Sequence, residues 1–233
     1  MKKAIIVVEG QTEQIFVEKF ITKLVATQPI HLELRQLVGG SLLMLSPRGV
    51  PLEHASHHIR IIDVSNDEKV NSFIDGNLDD FIAKNFKIVY GLRDRFTGNN
   101  NKPKPNVDKI DAWCRQKEID CNVTLEIIIA IEEVEAWFLS VPDFFMHYDA
   151  SLTLTKVNEI LDCDLSTIPI ESLPHPSQTI NKILSTVNQP YKKRLDDAHK
   201  IANCLNYELL YLEKINSIPP LKKLIDAIEN CLT

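Results

Sequence analysis

Residues 4–8 read Ala-Ile-Ile-Val-Val. So short an apolar run, rich in β-branched side chains, marks a strand buried on both faces, and such strands belong to parallel sheets covered by helices. Glu9-Gly10 breaks the run. From Thr12 the period becomes helical, with Phe16, Phe20 and Leu24 four residues apart. A buried strand feeding an amphipathic helix is the opening half of a βαβ unit.

The pattern recurs. Residues 59–65 read as a strand, Asn66-Asp67 as a cap, and Val70, Phe73, Ile74, Leu78, Phe81 and Ile82 as the apolar face of the next helix. Residues 87–92 are strand-like and stop at Arg93-Asp94. A polar loop, 97–106, leads to a helical stretch over 107–118. Residues 123–131 form the most apolar strand candidate and run directly into Glu132-Glu133-Val134-Glu135-Ala136-Trp137. Residues 31–38 alternate and read as an antiparallel edge strand or none at all, ended by Gly39-Gly40. Residues 41–57 read as a loop or short helix. After about residue 141 strand signals vanish. Helical patterns over 153–163, 177–187, 191–204, 206–216 and 218–231 are separated by breaks at Pro169, Pro174, Pro176, Pro190 and Pro219-Pro220. The expected fold is α/β: a mostly parallel sheet flanked by helices over 1–140, with an all-helical C-terminal region, 141–233, packed on it.

Composition narrows the function classes. A formal charge of −6 excludes a generic polyanion binder working by bulk charge, so nucleic-acid contact requires a local basic patch. The five cysteines form no CxxC pair, which excludes a zinc ribbon. An odd cysteine count without a secretory signal points to a reducing compartment. The apolar run after Lys2-Lys3 ends at Glu9, too short for a signal peptide, and no run approaches the ~20 apolar residues of a membrane span. The expectation is a cytoplasmic protein with no membrane partner.

Three apolar strands end in acid: Glu9 after 4–8, Asp94 after 87–92, and Glu132, Glu133 and Glu135 after 123–131. Ligands of parallel sheets bind outside the carboxyl ends of the strands. If these strands are neighbours, the acids converge on one rim, where like charges repel unless cations neutralise them. Hard oxygen ligands suit Mg²⁺ or Mn²⁺. Acids after strands also serve as helix caps and first-turn residues, which is the plainer role for any one of them alone. Glu13, four residues after Glu9, shares its side of the first helical turn. In extended chain Glu133 and Glu135 share a side; in a helix Glu132 and Glu135 do, and spacing does not choose between them. Arg93 and Arg95 flank Asp94, Lys102 and Lys104 follow in the polar loop, and Lys192, Lys193 and Arg194 open a predicted helix. Such cations suit a phosphate backbone or a solvated surface equally. His54 and His58 have the helical spacing of a zinc pair but no acid or cysteine beside them. Trp113 and Trp137 fit amphipathic helix patterns and read as core.

These residues resemble a known family. Val8-Glu9-Gly10-Gln11-Thr12-Glu13 resembles the opening Glu-Gly-x-Thr-Glu of Toprim domains, the catalytic domain of topoisomerases, bacterial primases and the overcoming-lysogenisation-defect nucleases. Glu133-Val134-Glu135-Ala136-Trp137 resembles the Glu-x-Glu-Ala-Trp signature of a Toprim-like branch often encoded in bacterial defence loci beside an ABC/AAA-type ATPase. Pro176-Ser177 and Tyr191-Lys192-Lys193 are similar to that branch's helical tail. The resemblance implies a Rossmannoid Toprim-like sheet and a Mg²⁺- or Mn²⁺-dependent nuclease acting on DNA or RNA, as a phage-defence effector with an ATPase partner. It leaves a homo-oligomer open. It assigns Glu9 as a metal ligand or general base, Glu13 and Asp94 as metal ligands, Glu133 and Glu135 as further metal ligands, and Lys192 as the cation facing the phosphate, with Lys193 beside it. Arg93, Arg95, Lys102, Lys104 and Lys193 then become candidate nucleic-acid contacts. The sequence departs from the pattern at Phe96, where the Asp-x-Asp motif has its second Asp. That departure favours the alternative of a non-catalytic regulatory or assembly subunit that binds a metal, a nucleotide or a protein.

Overall fold

The computed structural model describes residues 1–24, 28–65, 69–95 and 104–232. Asn66-Asp67, Phe96 and Lys102 therefore lie outside the described residues.

The chain runs β1 (Lys2–Val8), α1 (Gln11–Leu24), β2 (Ile30–Val38), β3 (Ser41–Met44), β4 (Arg48–Gly49), β5 (His57–Asp63), α2 (Lys69–Ala83), β6 (Ile88–Asp94), α3 (Val107–Cys121) and β7 (Thr124–Ala130). The helices α4 (Glu135–Leu139), α5 (Phe144–Tyr148), α6 (Leu154–Leu161), α7 (Pro176–Ser185), α8 (Leu195–Cys204), α9 (Tyr207–Leu212) and α10 (Pro219–Leu232) follow. The strands form one sheet in the order β3-β2-β5-β1-β6-β7, with β4 also paired to β2. Pairs β2–β5, β5–β1, β1–β6 and β6–β7 are parallel, while β3 and β4 run antiparallel to β2. The fold is α/β. Among the described residues no helix is long and apolar enough to cross a membrane.

β1 explains why its sequence does not alternate. Side chains along a strand point to opposite faces. Ala4, Ile6 and Val8 join one core with Phe16 and Phe20 of α1 and with the C-terminal helices. Ile5 and Val7 join a second core with Val70, Ile74 and Leu78 of α2 and Ile110 of α3. The first core is continuous from the sheet into the tail. It takes in Leu221, Leu224, Ile225 and Ile228 of α10, and Asn230 donates from Nδ2 to the Tyr90 hydroxyl at 2.7 Å.

Three expectations need correction. Residues 30–38 form neither an edge strand nor a gap but an interior strand parallel to β5. Gly39-Gly40 ends the strand, as expected, and turns the chain into the next one. With φ of 57° and 84°, the pair makes the tight hairpin that pairs Val38 with Ser41, a turn that requires positive φ at both central positions. The antiparallel edge is therefore β3, inside the stretch expected to be a loop. The helix expected over 191–204 begins at Leu195, so residues 191–194 precede it.

α1 lies on one face of the sheet, whereas α3, which follows β6, lies on the other. A crevice therefore opens between the carboxyl ends of the adjacent strands β1 and β6, the place where such sheets bind ligands. Phe16 anchors α1 beside it. Its ring centroid lies 5.6 Å from that of Phe20, 5.2 Å from Phe138, 6.0 Å from Trp137 and 5.9 Å from Tyr207. Phe16→Ala should cost about 3–5 kcal/mol, the usual range for emptying such a position. Denaturant unfolding measures the loss; a cost below about 1 kcal/mol would mean that sheet and tail do not share this core.

Candidate functional site

Glu9 immediately follows β1, and Asp94 is the last residue of β6. Both are buried, at 5% and 6% exposure. Glu13 sits in the first turn of α1, with its Oε2 only 3.2 Å from where a side chain on Gly10 would begin. Gly10 thus leaves room for that carboxylate to fold back over the turn.

The third group of acids comes from the turn after β7. Glu132 has φ of 61°, so the chain there is neither strand nor helix. That reversal resolves the ambiguity of spacing. Glu132 turns outward and takes an ion pair from Lys104 at 2.9 Å, while Glu133 and Glu135 turn inward. Asp94 Oδ1 accepts the Val134 N–H at 3.0 Å, which ties the turn to the end of β6. Asp94, Glu133 and Glu135 each present an oxygen within 4.8 Å of the others, a trio that could hold a metal ion.

The tail closes the site. Glu133 accepts the Ser177 N–H at 2.8 Å and the Ser177 hydroxyl at 2.9 Å, so a carboxylate from the sheet rim caps the first turn of α7. Glu135, with 0% exposure, accepts the Tyr191 hydroxyl at 2.8 Å. The same hydroxyl lies 3.5 Å from Thr12 Oγ1, which links α1 to the tail. Lys193 Nζ lies 2.9 Å from Glu133 Oε1 and 3.0 Å from Glu135 Oε1.

The tail cation facing the acids is therefore Lys193, and the expectation for Lys192 is corrected by one residue. With no helix before Leu195, the backbone at Lys193 takes φ of 53°, which turns its side chain inward. Lys192 stays exposed, and its N–H donates to Asp197 Oδ2 at 2.9 Å. Arg93 reaches the rim, with Nε 3.6 Å from Glu9 Oε1 and Nη1 donating to Asn71. Arg95 does not: it lines a separate 210 Å³ cleft with Ile127, Ile129, Pro219 and Lys223. Lys104 pairs with the outward Glu132 rather than with the acid trio. The histidines at 54–58 form no zinc pair, since His58 Nε2 bonds Glu33 at 2.8 Å within the sheet.

Burial, together with the charges of Glu13 and Glu9, pushes the Asp94 carboxyl well above its ordinary range, against the pull of Lys193. Burial raises Glu13 from 4.5 to about 7 in spite of Lys193, with Glu135 and Asp63 adding to the rise. Glu133 goes the other way: burial opposes its charge, but Lys193 and the Ser177 hydrogen bonds outweigh it and lower the value. Lys193 is driven upward by the surrounding acids despite its own burial cost, and it stays charged.

Ser177, Tyr191 and Thr12 are the contacts that sequence reasoning did not assign. Similarity to the Toprim-like tail marked Ser177 and Tyr191 without giving them roles, and periodicity marked none of the three.

Residues 8–213 match a family model described as a domain of unknown function, DUF4276. The crystal structure of the hypothetical protein PH0156 from Pyrococcus horikoshii OT3 is similar, with a TM-score of 0.50 and 16% identity over 97% of this chain and 100% of that one. At that identity the likeness shows the fold alone. No curated protein matches the chain.

An acid held above its ordinary value binds its proton more firmly in the folded state. The stability contributed by Glu13 is therefore fully present below its unfolded value of 4.5 and is lost as pH rises through about 7. In chelator-treated protein, Glu13→Gln should melt above the wild type by a margin that widens between about pH 5 and about pH 8. Melting curves across that range check this; a margin that narrows would mean Glu13 is stabilised as a carboxylate.

Proposed function

Given that the chain belongs to the family of domains of unknown function designated DUF4276, we propose, from the chemistry of its carboxylate rim, that it is a divalent-metal-dependent nuclease hydrolysing phosphodiester bonds in DNA or RNA. The observation that carries this reading is the trio of Asp94, Glu133 and Glu135, with oxygens within 4.8 Å of one another at the sheet's crevice. The donor set fits Mg²⁺ or Mn²⁺: all ligands are carboxylate oxygens, and the Asp94 and Glu13 carboxyls, raised first by burial and further by neighbouring acids, would be relieved by a cation. Asp94, Glu133 and Glu135 would hold the ion, with Glu9 and Glu13 beside them. When bound, such an ion supplies Lewis-acid polarisation of a phosphoryl oxygen.

The remaining roles belong to the chain itself. Glu13, with its carboxyl near 7, is suited to take a proton from an attacking water at neutral pH. Lys193 and Arg93 supply positive charge opposite the phosphate, where charge develops in the transition state. Ser177 fixes Glu133 and Tyr191 fixes Glu135, so the carboxylates are oriented before substrate arrives. On the Toprim resemblance, the enzyme would act in phage defence with an ABC/AAA-type ATPase. A second reading, a non-catalytic regulatory subunit, is favoured by the neutralisation of Glu133 and Glu135 already provided by Lys193.

Asp94→Asn separates the two readings. The amide can still accept the Val134 N–H, and it removes a charge that burial disfavours, so metal-free stability should hold or rise. Wild-type protein should cleave plasmid DNA, single-stranded DNA or RNA with Mg²⁺ or Mn²⁺, and the variant should lose roughly a hundredfold or more of that rate. Cleavage that survives the substitution would remove the trio from catalysis. A metal-dependent rise in melting temperature without cleavage of any substrate would favour the regulatory reading.

A further inference from the structure

Lys193 occupies an unusual position for a surface lysine. Its ammonium lies 2.9 Å from Glu133 Oε1, and 3.0 Å and 3.2 Å from the two oxygens of Glu135. These are two of the three acids in the trio. Its backbone is left-handed, with φ of 53°, a conformation unfavourable for a lysine that persists only where the surroundings impose it. Lys193 also belongs to no helix: it lies in the segment between α7 and α8, and its side chain is 37% exposed. The Lys193 side chain is thus partly open to solvent, whereas Glu135, which its ammonium contacts, is fully buried.

We propose that Lys193 is a tethered counter-ion that a divalent metal displaces from Glu133 and Glu135, freeing the ammonium to meet the substrate's phosphate. The inference rests on the metal reading above and adds the control of that site. A carboxylate pair that closes on an ammonium at 3 Å cannot also close on a doubly charged ion without bringing two cations into contact in a poorly screened site. One cation must leave, and only the lysine is held by a flexible four-carbon stem. The displaced ammonium remains charged and needs an anion, and a phosphodiester at the crevice provides one. Before metal binds, the lysine keeps the buried acids neutralised and the site closed to stray cations.

The test measures metal binding rather than cleavage. By calorimetry, Lys193→Met should bind Mn²⁺ about tenfold or more tightly than wild type, because removing the lysine leaves a buried carboxylate that a metal then compensates. Lys193→Arg, which keeps the charge, should bind no more tightly than wild type. A second measurement needs no variant: acylation of wild-type protein, read by mass spectrometry, should label Lys193 severalfold more once Mn²⁺ saturates the site, with Lys192 unchanged. Mn²⁺ binding that is equal or weaker in Lys193→Met, or Lys193 labelling unmoved by bound Mn²⁺, overturns the proposal and leaves the metal site standing. Failure of both wild type and Lys193→Met to bind Mn²⁺ overturns the metal reading itself.

Discussion

The carboxylate rim depends on the contact of the Lys193 ammonium with Glu133 and Glu135. Glu135 has no exposure to solvent, and Glu133 has 6%. A carboxylate taken out of water without a partner costs several kcal/mol, so neither acid can stay charged there alone. Lys193 contacts both at once, and Ser177 and Tyr191 donate further hydrogen bonds to them. The contact falls in the non-helical stretch between α7, which ends at Ser185, and α8, which begins at Leu195. A helical backbone at Lys193 would carry its side chain elsewhere, and the contact is worth more than the local strain.

The location of the rim follows from β1. Because β1 is covered on both faces, its neighbours must also be parallel and covered, and the helices divide between the two sides. The division places α1 and α3 on opposite faces and opens the crevice at Glu9 and Asp94. The apolar run Ala4–Val8 therefore decides more than a strand. It fixes which carboxyl ends lie beside a gap and which lie beneath a helix.

That much was legible in sequence, because burial on two faces leaves an unmistakable apolar run and the acid after each such run falls at the carboxyl edge by topology alone. The rest was not legible, for local reasons. β2 carries Glu33 and Arg35 within it, so its alternation mimics an edge strand, yet Glu33 pairs with Arg35 and is also matched inside the sheet by Arg60 and His58. β3 and β4 are too short to carry a period. Glu132 and Lys193 take left-handed φ, a choice made by tertiary contacts that no spacing rule encodes. The resemblance of the tail motif therefore points to Lys192, one position from the lysine that turns inward, and the spacing of Glu133 and Glu135 could not carry the chain reversal at Glu132.

Glu33 provides the internal comparison that gives the rim its meaning. It too is a buried acid in the sheet, at 3% exposure. Burial would raise its carboxyl, but hydrogen bonds and charge from His58, Arg60 and Arg35 outweigh that and hold it at about 2. Three donors answer one acid, and the result is a settled structural ion cluster. At the rim five acids gather, Glu9, Glu13, Asp94, Glu133 and Glu135; among the described residues Arg93 reaches Glu9 and Lys193 reaches Glu133 and Glu135, and burial raises Glu13 to about 7. The same chain thus treats buried acids in two opposite ways within one sheet. Where stability alone is needed it saturates the carboxylate with cations. Where the crevice opens, burial and neighbouring acids hold Asp94 and Glu13 above their ordinary values, and acids raised in this way are the kind that general acid–base and metal chemistry employ.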